Sequence, residues 1–148
     1  MRVLQLGVGS VGEVTARTLA AEPEVDVVVL ADIDEARLGT VAARLPAGKA
    51  QTMPLDVHDH DALVKALTDV DVVLNGLIPE VNLDVMQACL EAHTNYIDMA
   101  AAGPRDVVGT ADVDEELALN DEFKKAGLTA LVFFGIDPGA SDVFARAL

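Results

Sequence analysis

Three glycines in this sequence have the spacing of a turn that binds a phosphate group. They lie in Gly7-Val8-Gly9-Ser10-Val11-Gly12, between an apolar run at 3–6 and a helix-like segment at 13–21. Gly7 would let the chain turn sharply out of a strand, Gly9 would let the backbone approach a pyrophosphate, and Gly12 would let a helix pack closely on the strand. The anion would lie at the helix N-terminus, where free N–H groups and the helix dipole stabilise negative charge.

A carboxylate follows this turn at a sequence spacing that is typical of nucleotide-binding folds. A second apolar run at 25–31 ends at Asp32, 20 residues after Gly12. A dinucleotide-binding fold places there the acid that holds the adenosine ribose hydroxyls. The sequence therefore predicts a dinucleotide site that includes the turn, Asp32 and the adjacent Ile33. The alternative is an ordinary α/β turn with a solvated Asp32.

Two other groups of residues could do chemistry, and each has a simpler structural interpretation. His and Asp alternate in Asp56-Val57-His58-Asp59-His60-Asp61 and could chelate a cation. The segment also precedes a helix-like stretch at 62–67, where Asp59 or Asp61 would cap the helix and Asp56-Val57 would lie beside an adenine at a strand end. Cys89, the single cysteine, lies in an apolar helical pattern and is predicted to be a small buried hydrophobe. We therefore predict neither a metal site nor a cysteine nucleophile.

These residues need a scaffold, and the apolar pattern indicates one. Predicted strands and helices alternate without an internal repeat, which defines an α/β fold with a doubly wound, Rossmann-type parallel sheet and helices on both faces. The expected strand order is 3-2-1-4-5-6. The strands are predicted at 3–6, 25–31, 51–55, 71–75, 95–98 and 128–134, and the helices at 13–21, 35–44, 62–67, 81–92 and 114–126.

The composition agrees with this fold and argues against two classes of binding partner. The chain has 148 residues, of which 51% are hydrophobic and 3% aromatic, as expected for parallel strands covered by helices. A formal charge of −15 argues against nucleic acid and anionic membranes as partners. Because no apolar stretch approaches the ~20 residues that span a bilayer and no leader precedes the first strand, we expect a cytoplasmic protein.

The fourth predicted strand ends in Asn75-Gly76-Leu77-Ile78-Pro79, a polar and then small turn. In open α/β sheets, ligands bind beyond the carboxyl ends of the central strands, so this turn is a second candidate for contact with the cofactor. The alternative is a Gly-Pro turn without a ligand.

Four segments together resemble the N-terminal nucleotide-binding domain of the saccharopine dehydrogenase family. They are the Gly7–Gly12 turn, the Asn75–Pro79 turn, Tyr96-Ile97-Asp98 and Gly135-Ile136-Asp137-Pro138-Gly139. The resemblance implies hydride transfer between a nicotinamide cofactor and the C–N bond of an amino-acid-derived secondary amine or imine. It further implies that residues 1–134 form the dinucleotide domain, and that 135–148 lead into a substrate domain outside this chain.

The resemblance also implies positions for individual residues. Asn75, Gly76, Leu77 and Pro79 would lie towards the nicotinamide, with Asp98, Gly135 and Asp137 below it on the substrate side. The alternative is that Asp98 only holds the following loop and Asp137 only caps the helix begun by Pro138. The main catalytic groups would follow this chain, so the fragment would bind cofactor and catalyse little. The sequence leaves the oligomeric state open, although an exposed apolar side of the terminal helix would favour association into a homodimer.

The chain departs from the family that it resembles at the end of the second strand. Several members carry a Ser or an Arg there and accept the 2′-phosphate of NADP, whereas this chain has Asp32-Ile33-Asp34. Two carboxylates would repel a phosphate, so the sequence predicts NAD in preference to NADP. Two other classes share the fold: nucleotide-sensing domains of potassium transport, which do no chemistry, and the nucleotide domains of homoserine or sugar dehydrogenases.

Overall fold

A computed structural model describes residues 1–100, 114–137 and 139–147. In this part of the chain, six parallel strands form one sheet in the order β3-β2-β1-β4-β5-β6, which confirms the predicted fold and strand order. The strands are β1 Arg2–Leu6, β2 Val27–Asp32, β3 Ala50–Pro54, β4 Val72–Asn75, β5 Asn95–Asp98 and β6 Ala130–Leu131. The helices are α1 Ser10–Ala21, α2 Glu35–Ala42, α3 His60–Leu67, α4 Asn82–Ala92, α5 Asp114–Ala118, α6 Asn120–Ala126 and α7 Ala140–Ala147.

The sheet has a hydrophobic core on each face, because alternate residues of a strand point to opposite sides. On one face, Leu4 and Leu6 of β1 pack in a cluster with residues of α3 and α4. On the other, Val3 joins a cluster with residues of α1 and α2. Both faces of the central strands are covered, which explains why these strands read as continuous apolar runs.

The helix after β3 begins with the predicted cap, and the helix after β2 begins with a cap of the same kind. Asp34 Oδ1 accepts from Arg37 N at 3.0 Å at the start of α2, and Asp59 Oδ1 accepts from Ala62 N at 3.0 Å at the start of α3. Each cap satisfies a backbone N–H that has no partner inside the helix. Cys89 is buried in α4, and burial raises the pKa of its thiol.

The described part of the chain contains neither a candidate metal cluster nor a candidate membrane-spanning helix. Among the residues that the structure describes, no three His, Cys, Asp or Glu side chains come together as a metal site would require. None of the helices found there is both long and apolar enough to cross a bilayer.

The sixth strand differs from its prediction. The sequence predicts a strand over 128–134, but β6 contains only Ala130–Leu131. Phe133 adopts a left-handed backbone conformation with φ +61°. Its N–H donates to Asp98 Oδ1 at 2.7 Å, and the N–H of Phe134 donates to Asp98 O at 3.0 Å. These two bonds to Asp98 end the strand after Leu131. The predicted strand is too long because the sequence alone does not show these bonds.

The two largest differences among the helices concern α1 and the helix predicted over 114–126. The helix predicted over 114–126 is two helices, α5 and α6, because the N–H of Leu119 bonds Glu116 O three residues back and tightens the turn. The first helix begins at Ser10, three residues before the predicted start. Pro138 lies outside the described residues, and α7 begins at Ala140.

Candidate functional site

The glycine turn between β1 and α1 is closely packed at Gly7 and Gly12 but leaves free space beside Gly9. Gly7 has φ +86°, and its N–H donates to Ala31 O at 2.8 Å. A Cβ on Gly12 would lie 2.2 Å from Gly7 O, whereas a Cβ on Gly9 would meet no atom within 4 Å. Gly9 is the N-cap of α1, and no described side chain caps this helix end. The N–H groups of the first turn, which lack partners inside the helix, therefore border open space.

Asp32 joins this turn to the end of β2. Its Oδ2 accepts from Val8 N at 2.9 Å, and its Oδ1 accepts from Asp34 N at 3.0 Å. A carboxylate offers about four acceptor positions, so Asp32 can still accept hydrogen bonds from a ligand hydroxyl.

A cleft of about 270 Å³ lies beside Asp32, at the carboxyl ends of the strands. Its lining is mostly apolar, and five residues predicted for the cofactor line it together: Asp32, Ile33, Asp56, Val57 and Leu77. The Asp56 side chain is turned back on its own loop, where Oδ1 accepts from His58 N at 3.0 Å. The cleft thus offers apolar walls to a flat ring, with the Asp32 carboxylate at its edge.

The turn after β4 lies directly against the glycine turn. Gly76 N donates to Leu6 O at 2.9 Å, and a Cβ on Gly7 would lie 2.9 Å from Leu77 Cδ2. Pro79 begins a 3₁₀ turn, Pro79–Val81, that leads into α4. The structure therefore brings the predicted Gly7–Gly12 and Asn75–Pro79 segments together at one edge of the sheet.

The Asn75 side chain points into the protein. Its Nδ2 donates to Asn82 Oδ1 at 2.9 Å and to Tyr96 Oη at 3.3 Å, while its Oδ1 accepts from Leu77 N at 3.2 Å. Asn75 is 2% exposed, so these contacts lie beneath the turn. The residue was predicted to lie towards the nicotinamide, but its side chain supports the Gly76-Leu77 turn from below.

Asn75 belongs to a buried polar network that carries two acids. Asn82 Nδ2 donates to Glu116 Oε1 at 2.9 Å and lies 3.4 Å from Asp98 Oδ2. Burial raises the pKa of Asp98, and both burial and repulsion from Asp98 raise the pKa of Glu116. Burial also raises the pKa of the Tyr96 hydroxyl. The two neighbouring acids are therefore most stable with at least one of them protonated.

The other residues predicted for the substrate side have structural contacts. Asp98 is buried and holds the Phe133 N–H, as the alternative of a loop-holding residue predicts. A Cβ on Gly135 would lie 2.3 Å from Met99 O, so this glycine permits close contact with the end of β5. Asp137 is exposed, and its Oδ1 accepts from Ser141 Oγ at 2.7 Å in the first turn of α7.

The acidic network predicts a pH dependence of stability. Because both pKa values are raised on folding, the folded state binds protons more tightly than the unfolded chain does. Stability from this pair is complete below the ordinary carboxyl pKa of about 4 and is lost as the pH rises through the raised values. Glu116→Gln keeps an oxygen for Asn82 but cannot ionise. We expect it to raise the free energy of unfolding at pH 7.5 by about 1–3 kcal/mol, because it removes a buried charge whose desolvation is unfavourable.

Urea unfolding between pH 5 and pH 8 measures this effect. The matched control is Glu115→Gln, because Glu115 is exposed on the same helix, and its pH profile should follow that of the wild type. A Glu116→Gln profile as steep as that of the wild type would contradict the prediction.

Comparison with known proteins identifies the family. The family model described as the saccharopine dehydrogenase NADP binding domain matches residues 3–131. The chain belongs to this family. The match covers the glycine turn, the cleft and all six strands, so a dinucleotide cofactor is the ligand that this family's site takes.

Individual relatives agree with the family assignment. The chain is 37% identical to carboxyaminopropylagmatine dehydrogenase of Synechocystis over 97% of its own length and 36% of that protein. It is 31% identical to carboxynorspermidine synthase of Vibrio cholerae over 98% of its length and 38% of that protein. The apo structure of saccharopine dehydrogenase (L-Glu forming) from Saccharomyces cerevisiae superposes with a TM-score of 0.80 at 28% identity, over 97% of this chain and 29% of that one. The chain thus spans little more than a third of those two relatives.

The structure also shows site residues that sequence reasoning missed. His58 lines the cleft, and Gln5 and Thr15 lie beneath the glycine turn. A glutamine within the apolar run of β1 was a usable signal, because a buried polar side chain needs hydrogen-bond partners. The sequence suggested only metal binding for His58, since its place beside the cleft results from the sheet order, which brings the loop after β3 close to the end of β2 and the turn after β4.

Proposed function

We propose that this chain is the cofactor-binding part of an NAD(P)-dependent oxidoreductase that acts on the C–N bond of an amino-acid-derived secondary amine or imine. The proposal rests on the position of Asp32. Asp32 lies between an open helix N-terminus at Gly9 and an apolar cleft, so a pyrophosphate, a ribose and an adenine would meet suitable groups in the order in which a dinucleotide presents them. The described residues therefore fit the cofactor that the family implies.

The fit assigns a role to each part of the site. The backbone of Gly7, Gly9, Ser10, Val11 and Gly12 would surround the pyrophosphate, and Asp32 would accept from the ribose hydroxyls. The adenine would lie against Ile33, Asp56 and Val57. Gly76, Leu77 and Pro79 would face the nicotinamide, while Asn75 keeps their turn in place. When bound, the nicotinamide supplies the hydride acceptor or donor.

The substrate class comes from the relatives. Their names specify carboxyaminopropylagmatine, carboxynorspermidine and saccharopine, and we propose a substrate of the same kind for the protein that contains this domain. The loop with Gly135 and Asp137 is the candidate contact on the substrate side, and Asp98 anchors it through Phe133. We expect the domain alone to bind cofactor and catalyse little, because fast hydride transfer needs both reactants held in position.

We further propose that this domain prefers NAD, although the family description names NADP. Asp32 and Asp34 both lie at the end of β2, and the Asp32 carboxylate occupies the position from which a ribose 2′ group is recognised. Arg37 is a nearby cation, but its Nε lies 3.7 Å from Asp34 Oδ2, which partly neutralises it. A 2′-phosphate would therefore meet net negative charge.

Calorimetric titration of the domain with NADH and NADPH, at low and high salt, tests both proposals. NADH binding supports the dinucleotide site, and weaker NADPH binding supports the preference. If neither cofactor binds, the dinucleotide proposal is contradicted for this domain. Equal or tighter NADPH binding contradicts the preference alone.

Gly9→Ala tests the place of the pyrophosphate. Gly9 has φ −64° and ψ −166°, which alanine adopts without strain, and the new Cβ would meet no protein atom within 4 Å. We expect the free energy of unfolding to fall by no more than about 1 kcal/mol, because alanine is a poorer N-cap than glycine. NADH binding should weaken about tenfold, because the methyl group takes space that the pyrophosphate needs. Gly39→Ala is the matched control, since Gly39 is equally open but lies within α2. NADH binding by Gly9→Ala as tight as that of the wild type would contradict this placement.

A further inference from the structure

Gln5 is a polar residue in the most buried strand of the sheet. It is 0% exposed in β1, where Val3, Leu4 and Leu6 are buried hydrophobic residues. A buried amide is strongly unfavourable if its hydrogen bonds are not made. The bonds that Gln5 makes therefore indicate why this position is polar.

All the bonds of the Gln5 side chain go to the glycine turn and to α1. Its Nε2 donates to Gly7 O at 3.1 Å and to Gly12 O at 2.6 Å. Thr15 Oγ1 lies 3.1 Å from Gln5 Oε1, 3.0 Å from Gly12 O and 3.3 Å from Val11 O, so its single hydroxyl hydrogen is shared among these acceptors, Gln5 included. Because both turn atoms are carbonyl oxygens, the amide must present its nitrogen to them, and Thr15 stabilises that orientation.

The glycine spacing makes room for this side chain. A Cβ on Gly12 would lie 3.1 Å from Gln5 Nε2 and 2.2 Å from Gly7 O. The absence of a side chain at position 12 thus lets the amide reach both ends of the turn at once. Gln5 bridges the first and last glycines from below.

These bonds fix two peptide groups of the turn. The Gly7–Val8 peptide is held at its carbonyl by Gln5 and at its N–H by Asp32. The Gly12–Glu13 peptide is held at its carbonyl by Gln5 and at its N–H by Gly9 O, at 2.8 Å. Since a peptide is planar, fixing both sides fixes its orientation. The position of Gly9, at the open helix end, is set through the second of these peptides.

We propose that Gln5, oriented by Thr15, is a positioning residue that sets the pyrophosphate-binding geometry of the glycine turn. This inference rests on the proposed function, since it concerns the same dinucleotide site. Gln5 and Thr15 would then contribute to the affinity for the pyrophosphate. They would not contribute to the recognition of adenosine, which Asp32 and the cleft would bind.

Three variants and two ligands test this assignment. Gln5→Leu removes the amide, and Thr15→Val removes the hydroxyl that orients it. Thr18→Val is the matched control, because Thr18 lies on the same helix and its hydroxyl donates only to Val14 O, at 3.1 Å, away from the turn. ADP-ribose, which carries the pyrophosphate, and adenosine, which lacks it, are titrated by NMR, and folding is checked by urea unfolding.

The expected result is selective loss of the ligand that carries the pyrophosphate. ADP-ribose affinity should fall about tenfold in Gln5→Leu and about threefold in Thr15→Val, as expected for the loss of one or two hydrogen bonds that hold the site. Adenosine affinity should change less than about twofold, and Thr18→Val should match the wild type for both ligands.

Equal losses for both ligands, or an unchanged ADP-ribose affinity in the two variants, would overturn the assignment. If Gln5→Leu does not fold, Thr15→Val decides the question by the same comparison. A wild-type domain that binds neither ligand would contradict the proposed function itself, which separates that failure from failure of this inference.

Discussion

Replacing Gly12 with alanine is expected to lower the free energy of unfolding by about 3 kcal/mol or more. The new Cβ would lie 2.2 Å from Gly7 O and 3.0 Å from Gly7 C, which are backbone atoms that cannot rotate away. Helix α1 would have to move off β1, and the short bond from Gln5 Nε2 to Gly12 O would be lost. Dinucleotide binding should be lost as well, because the same movement displaces the helix N-terminus.

Urea unfolding followed by circular dichroism measures this change. Gly39→Ala is again the control, because its Cβ would meet no atom within 4 Å and alanine favours a helix interior. That variant should be more stable than the wild type by roughly 0.5–1 kcal/mol. A Gly12→Ala variant as stable as the wild type would show that the turn and helix are less closely packed than the structure indicates.

The sheet could be predicted because burial on both faces leaves a clear pattern. Strands β1, β2 and β4 lie inside the sheet and read as apolar runs bounded by turns, and their order follows from the connection rules for such sheets. Strand β6 lies at an edge, and the apolar run around it continues through Phe134, which is 52% exposed. The end of β6 is set by bonds to Asp98, a residue 35 positions away from Phe133. Local periodicity contains no information about such a contact.

The site was predictable to the extent that backbone conformation determines it. Glycine spacing indicated the turn, and the position of Asp32 after a strand indicated its neighbour. Asn75 and Asp98 are the last residues of their strands. The same reasoning placed Asn75 beside a ligand, and the family resemblance placed Asp98 there. Their side chains turn inward because Asn82 and Glu116, from two different helices, provide buried partners. The direction of a polar side chain at a strand end thus depends on tertiary contacts that a single sequence does not show.

Replacing Asp32 with serine is expected to shift the ratio of NADPH to NADH affinity by about a hundredfold towards NADPH. About tenfold would come from weaker NADH binding, because serine replaces the carboxylate that accepts from the ribose hydroxyls. About tenfold more would come from relief of repulsion against the 2′-phosphate, since like charges placed together are unfavourable by several kcal/mol. The variant also loses bonds from Val8 N and Asp34 N, so its folding must be checked in urea.

The matched control separates the role of Asp32 from that of negative charge in general. Asp34→Ser removes a carboxylate two residues along the chain and keeps a side chain that can cap α2. If the proposed geometry is right, this variant should change the affinity ratio by less than about threefold, because screening weakens charges that do not touch the ligand. Equal shifts in the two variants would mean that the cofactor preference follows overall charge at the end of β2. No shift in Asp32→Ser would mean that Asp32 serves only to hold the glycine turn through Val8.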